Sequence, residues 1–218
     1  MTASRRWSRD EMAAKVARDI PEGAVVNLGI GMPTLVGAHF GDREVILHSE
    51  NGLIGMGPPA APGREDADLI NASRVPVTLM PGGAYFHHAD SFAMIRGGHI
   101  DVCVLGAFQV SVAGDLANWH TGEPDAIPAV GGAMDLAAGA RRVVVMMEHL
   151  TRAGESKIVG ALTYPPTALA CVDGVYTDLA VIDVTPRGLS VREIVPGMSI
   201  DELRRVTGVE LDDGRSSG

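Results

Sequence analysis

The chain has 218 residues, 46% of them hydrophobic, with a formal net charge of -9. That is enough to bury a sizeable core in one α/β domain. The acidic balance argues against a nucleic-acid or anionic-membrane partner and leaves small molecules and proteins.

Ser8-Arg9-Asp10-Glu11 is a capping box, and Met12, Val16 and Ile20 follow at a spacing of four, so an amphipathic helix opens the chain. No early apolar stretch follows Arg5-Arg6, and no signal peptide is expected. Pro21-Glu22-Gly23 ends the helix, Ala24 to Ile30 reads as a strand, and Gly31-Met32-Pro33 turns into a short helix with Pro33 in its first turn. Glu44 to Ser49 is the second strand, closed by an Asn51-Gly52 turn. Residues 55 to 66 are rich in Gly and Pro and read as a long ordered loop. Val77 to Met80 is a strand leading into Pro81-Gly82-Gly83, and Ala89 to Arg96 is a helix ended by Gly97-Gly98. Ile100 to Leu105 and Val143 to Met147 are buried strands with a helix over 133–138 between them, and neither run is long enough to span a bilayer. Leu179 to Val184 and Leu189 to Ile194 bracket Pro186-Arg187-Gly188 as a C-terminal hairpin. Ser199-Ile200-Asp201-Glu202 caps a last helix, and residues 212–218 read as a disordered tail. Strands alternating with helices imply a single α/β domain over residues 8–211, with a largely parallel sheet and helices on both faces.

Glu50 is the most unusual residue. It closes an apolar run, Val45-Ile46-Leu47, and precedes the glycines of Asn51-Gly52-Leu53-Ile54-Gly55-Met56-Gly57. Burying a carboxylate costs several kcal/mol unless it is paired or used. Bare backbone beside it gives a bulky activated substrate room to reach a nucleophile. Asn27 is a second polar residue inside an apolar strand, and a buried amide needs partners. Asn27-Leu28-Gly29-Ile30-Gly31 resembles the start of a dinucleotide site, with Glu50 about 20 residues on where a ribose-binding acid belongs, but Thr34 stands in place of the third glycine. Gly131-Gly132-Ala133-Met134 precedes a helix and offers backbone N–H groups to an oxyanion. His87-His88-Ala89-Asp90 and His120 lack metal-ligand spacing and read as pocket-lining polar residues. Glu155-Ser156-Lys157 reads as a charged surface turn. Cys103 and Cys171 show no metal or redox spacing, so a reduced core thiol at Cys103 and a cytoplasmic location are expected.

Seven segments together resemble the B (β) chain of family I CoA-transferases. They are residues 27–33, Ser49-Glu50-Asn51-Gly52, residues 66–72, residues 91–101, Gly114-Asp115-Leu116-Ala117-Asn118-Trp119, Gly131 to Leu136 and Tyr176 to Ala180. Residues 86–90, 107–111 and 119–122 look most like the branch acting on 3-oxoadipate, with the acetoacetate enzymes as near relatives. The resemblance implies that Glu50 attacks succinyl-CoA and carries CoA as a thioester, in a ping-pong cycle with no metal or other cofactor. It implies orienting or oxyanion roles for Asn27, Gly132 and Ala133. It further implies CoA or substrate contacts from Gly29, Gly31, Asn51, Gly52, Arg74, His88 and Arg96. Arg74 replaces the Lys usual in the family, and Leu162 and Pro166 also depart from its pattern. For the far carboxylate of an oxo-diacid, Arg96, His87 and His88 are the candidates. The family works with an A (α) subunit, so a heterotetramer is expected, and the chain alone should be folded but nearly inactive. A non-catalytic subunit of the same fold is the remaining class, for which Glu50 would be replaceable.

Overall fold

The computed structural model describes residues 5–123, 125, 127–128 and 130–217, with no side-chain description for 216 and 217. Helix α1 (Arg9–Arg18) carries the expected capping box, with Ser8 Oγ accepting from the Glu11 N–H, and buries Met12, Ala13, Val16 and Ala17. Strand β1 (Val25–Leu28) leads into a 3-10 helix (Met32–His39) and returns as β2 (Ile46–Ser49). Strands β3 (Leu53–Pro59) and β4 (Val77–Tyr85) precede α2 (His88–Arg96) and β5 (Val102–Leu105). The short strands β6 (Gln109–Ser111) and β7 (Leu116–Ala117) come next, followed by α3 (Ala133–Gly139), β8 (Val143–Met146) and β9 (Ile158–Val159). The chain closes with β10 (Gly174–Tyr176), β11 (Ala180–Thr185), β12 (Gly188–Ile194), α4 (Ile200–Thr207) and β13 (Asp212–Asp213).

Ten strands form one sheet in the order β13-β12-β11-β10-β8-β5-β1-β2-β3-β4. Its centre, from β2 through β1, β5 and β8 to β10, is parallel, and antiparallel pairs flank it. The central strands are buried on both faces, Val102 to Leu105 and Val143 to Met146 without a break, as continuous apolar runs require. The crossover from β1 to β2 moves one way along the sheet, and the crossover from β5 to β8 moves the other way. Right-handed crossovers therefore put the 3-10 helix and α3 on opposite faces. The 3-10 helix packs with α1, and α2 packs with α3. One buried cluster runs from Trp7 to Leu211. A reversal of strand order opens a crevice beyond the carboxyl ends of the strands, between β1 and β5.

Three expectations need correction. Residues 53–59, whose latter part the sequence presents as loop, are strand β3, paired antiparallel to both β2 and β4. The glycines and prolines survive there because the β3–β4 register slips twice, and Gly55 faces Gly83 where side chains would collide. Strand β4 runs on through Pro81-Gly82-Gly83 because it is the sheet's edge, where a missing N–H breaks no ladder. The tail is ordered as far as it is described: Asp212–Asp213 pair with β12, Gly214–Ser217 form a 3-10 turn, and Arg215 binds Asp213. Gly218 lies outside the described residues. The small sheet β7-β6-β9 has no counterpart in the sequence reading.

Candidate active site

Register brings the unusual residues together. Asn27 on β1 stands opposite His48 on β2, and Glu50 follows two residues later, just past the strand end. Asn27 is fully buried and His48 is 1% exposed, whereas Glu50 is only half-buried. The Asn27 amide donates from Nδ2 to Glu50 Oε2 at 3.2 Å and to the His48 carbonyl oxygen at 3.3 Å. The same nitrogen lies 3.2 Å from His48 Nδ1. Three acceptors around Nδ2 set the amide's orientation, since the flipped amide would face its oxygen toward a carboxylate. With two N–H groups for three neighbours, one N–H is shared; a donor nitrogen facing Nδ1 matches the neutral tautomer protonated on Nε2, which lies 2.9 Å from Ser91 Oγ. Burial pushes the His48 pKa down to about 4, so the ring stays neutral.

Among the described residues, Asn27 Oδ1 is buried with no hydrogen-bond partner. A buried acceptor left unpaired costs about 1–3 kcal/mol. Asn27 is therefore a poor choice for stability alone, and its donor to Glu50 is the feature that explains it. On the other side of Asn27 lies Cys103, its register partner on β5. Burial, with Glu50 and Cys171 adding to it, raises the Cys103 pKa and keeps the thiol protonated.

Glu50 opens into a cavity of about 360 Å³. Its walls are the carboxyl ends of the parallel strands: Gly29 after β1, Glu50 after β2, Gly106 after β5 and Met147 after β8, with Gly132 at the start of α3. Gly29 fits closely against β5, because a Cβ there would lie 3.0 Å from the Val104 carbonyl oxygen that its own N–H binds. Gly132 packs on the nucleophile candidate, since a Cβ there would sit 3.5 Å from Glu50 Cγ and 3.3 Å from Phe92 Cζ. Among the described residues the Gly132 N–H has no acceptor, whereas the Ala133 N–H is donated to the Val130 carbonyl oxygen at 3.1 Å.

The remaining expected contacts lie off the cavity wall. Gly31 caps the 3-10 helix at φ 87°. Asn51 Nδ2 ties the strand end to the Ile70 carbonyl oxygen at 2.8 Å. Gly52 sits at φ 114° with its flank against the Phe86 carbonyl, so it is a turn residue. Arg74 is exposed, at φ 62°. His87 caps α2, accepting from the Ala89 N–H, and the exposed His88 ring lies against Phe92. Arg96 is exposed and bound to Asp135 at 2.6 Å. None of these seven lines the cavity.

Two residues that do matter to the site escape the sequence reading. His48 could have been found as the register neighbour of Asn27. Lys157, which looks like part of a surface turn, is half-buried and reaches the cavity wall.

The coenzyme A transferase family model matches residues 9–205. The chain belongs to the coenzyme A transferase family. This CoA-transferase is 66% identical over 211 residues to the B chain of the 3-oxoadipate CoA-transferase of Pseudomonas putida, covering 97% of the chain and 99% of that relative. It is 43% identical to the B chain of the succinyl-CoA:3-ketoacid coenzyme A transferase of Helicobacter pylori, over 94% of the chain and 98% of the relative. In fold it resembles an acyl-CoA transferase of Escherichia coli O157:H7, with a TM-score of 0.73 at 20% identity. The match covers 96% of this chain and 42% of that one. No described helix is long and apolar enough to cross a membrane.

Proposed function

We propose that this chain is the B (β) component of a two-subunit CoA-transferase that moves CoA from succinyl-CoA to 3-oxoadipate through a thioester on Glu50. The observation that carries the acceptor is the 66% full-length identity to a 3-oxoadipate enzyme, against 43% to the succinyl-CoA:3-ketoacid enzyme. The latter activity, with acetoacetate as acceptor, is the second reading. Two unpaired cysteines suit a reducing compartment, the cytoplasm.

The half-buried Glu50 carboxylate attacks the thioester carbonyl, and collapse of the tetrahedral adduct expels CoA thiolate to leave a succinyl-glutamyl anhydride. The thiolate then attacks Glu50 Cδ and expels succinate, leaving Glu50 as its CoA thioester. The acceptor carboxylate attacks that thioester carbonyl and displaces the thiolate. The thiolate finally attacks the acceptor's acyl carbon, giving the new CoA ester and free Glu50. Acyl activation is conserved at each step, which a Ser ester would not manage, and no metal or redox cofactor is required.

Two kinds of carbonyl become oxyanions in this cycle, that of the substrate acyl group in each half-reaction and that of Glu50 itself. When Cδ of Glu50 is attacked, the charge develops on the oxygen that Asn27 Nδ2 already reaches at 3.2 Å. The Gly132 N–H, beside Glu50, is the backbone donor the site offers. The Ala133 N–H would contribute only by giving up Val130. While Asn27 holds Oε2, the other carboxylate oxygen is left to attack.

A partner A (α) subunit completes the site in this reading, as the naming of the relatives suggests, and the assembly is a heterotetramer. Ile30 (67% exposed), Phe108 and Met134 are exposed apolar residues on or beside the cavity wall, which a partner would cover. The test is to incubate the assembled enzyme with succinyl-CoA, quench, and map CoA adducts by peptide mass spectrometry. CoA on Glu50, absent in Glu50→Ala, is expected. Turnover with no Glu50 adduct would overturn the mechanism.

A further inference from the structure

Glu50 and Lys157 are the charged residues among the described lining of the cavity. The chain has two lysines. Lys15 is bound to Glu193, but among the described residues the Lys157 ammonium has no carboxylate partner. Backbone bonds lock Lys157 in place, its N–H donating to His149 O at 3.0 Å and its carbonyl accepting from Val110 at 2.9 Å. It thus enters β9, the strand that pairs with β6 and sits beside the Leu105–Phe108 wall. The wall beside it is apolar, formed by Leu105, Ala107, Phe108, Met146 and Met147.

A cation held half-buried with no partner loses hydration without a return, and burial lowers its pKa, although Glu148 and Asp178 pull the other way. Glu148 is already bound to Arg9 at 2.8 Å. The arrangement is a cavity lined by the Glu50 carboxylate, by apolar side chains and by one lysine with no carboxylate partner among the described residues, in a protein whose net charge of -9 would otherwise repel a dianion.

We infer that Lys157 binds the carboxylate that does not react, anchoring four- to six-carbon dicarboxylic acids by their far end while Glu50 engages the near end. This rests on the proposed function above. It assigns one subsite to both halves of the cycle, since succinyl and oxo-diacid groups each carry such a second carboxylate. Arg96, His87 and His88, the candidates suggested by sequence, do not line the cavity. A second cavity of about 330 Å³ shares Lys157 and is lined also by Arg9 and Arg152, so the rival ligand is a phosphate of CoA.

Product inhibition of the assembled enzyme separates the two. Lys157→Met should weaken inhibition by succinate about 10- to 100-fold, the worth of a hydrogen bond to a charged group. Inhibition by free CoA and by butyrate should change less than about threefold, and Lys157→Arg should restore most of the succinate effect. Should Lys157→Met fail to assemble, Lys157→Gln carries the same comparison. An unchanged succinate constant, or equal weakening for succinate and CoA, overturns the assignment. A Glu50–CoA adduct measured in the wild-type enzyme keeps the outcomes apart: its absence sinks the functional reading, while its presence with unchanged succinate inhibition sinks only the role of Lys157.

Discussion

Replacing Asn27 by Ala removes the side-chain donor that reaches Glu50 Oε2 at 3.2 Å. Two opposing stability effects follow. His48 Nδ1 loses its donor and becomes a buried unpaired acceptor, a cost of about 1–3 kcal/mol. The substitution also deletes Asn27 Oδ1, itself buried and unpaired, which returns a similar amount. The net change should stay near 1 kcal/mol, about 2–4 °C in Tm for a chain of this size. The catalytic effect has no such offset. Losing a donor to a developing oxyanion costs about 2.7–4 kcal/mol of barrier, a fall in kcat of roughly 100- to 1000-fold. KM for succinyl-CoA should hardly move, because Asn27 does not line the cavity.

The assay is steady-state transfer by the assembled enzyme together with the single-turnover rate of Glu50–CoA formation. If kcat stays within about tenfold of wild type while Glu50→Ala is inactive, the proposed donor role is wrong. Asn27→Asp adds a sharper test. It sets a second carboxyl against Glu50, and like charges at that range force the pair to share a proton. Only a protonated carboxyl at position 27 can donate to Glu50, so the variant should lose activity relative to the wild type as pH rises.

Two further outcomes concern stability. Gly52→Ala forces an L-residue to φ 114° and drives its Cβ into the Phe86 carbonyl, which should cost about 3 kcal/mol or more, roughly 6–12 °C in Tm. A melting temperature within about 2 °C of wild type would refute this account of the turn. Burial holds both His48 and His149 near a pKa of about 4, against 6.5 when free. The unfolded chain therefore takes up protons first as pH falls. The stability is complete above about pH 6.5 and is lost toward pH 4, on the order of 2 kcal/mol for each ring by about pH 5. Urea unfolding near pH 7 and near pH 5 should show this, and His149→Gln, which removes the ring held between Thr177 and Thr207, should halve the loss. An undiminished loss in that variant would point to carboxylates instead.

What was legible in the sequence follows from how local each signal is. The central strands announce themselves because burial on both faces demands unbroken apolar runs, as in Val102 to Leu105. Glu50 and Asn27 stand out as polar residues in such runs, since only a use or a partner offsets their burial. Strand β3 stays hidden because its Gly and Pro residues are accommodated by slips in pairing with β4, which only the assembled sheet reveals. His48 is visible only once register sets it opposite Asn27. Lys157 is the extreme case. By composition Glu155-Ser156-Lys157 belongs on the surface, and Glu155 is indeed exposed. It is the pairing of β9 with β6, between segments far apart in the chain, that brings Lys157 to the cavity wall. Apolar periodicity thus locates the proposed nucleophile, but the cation proposed to complement a second carboxylate is placed by non-local pairing, so substrate choice is harder to read from this sequence than chemistry.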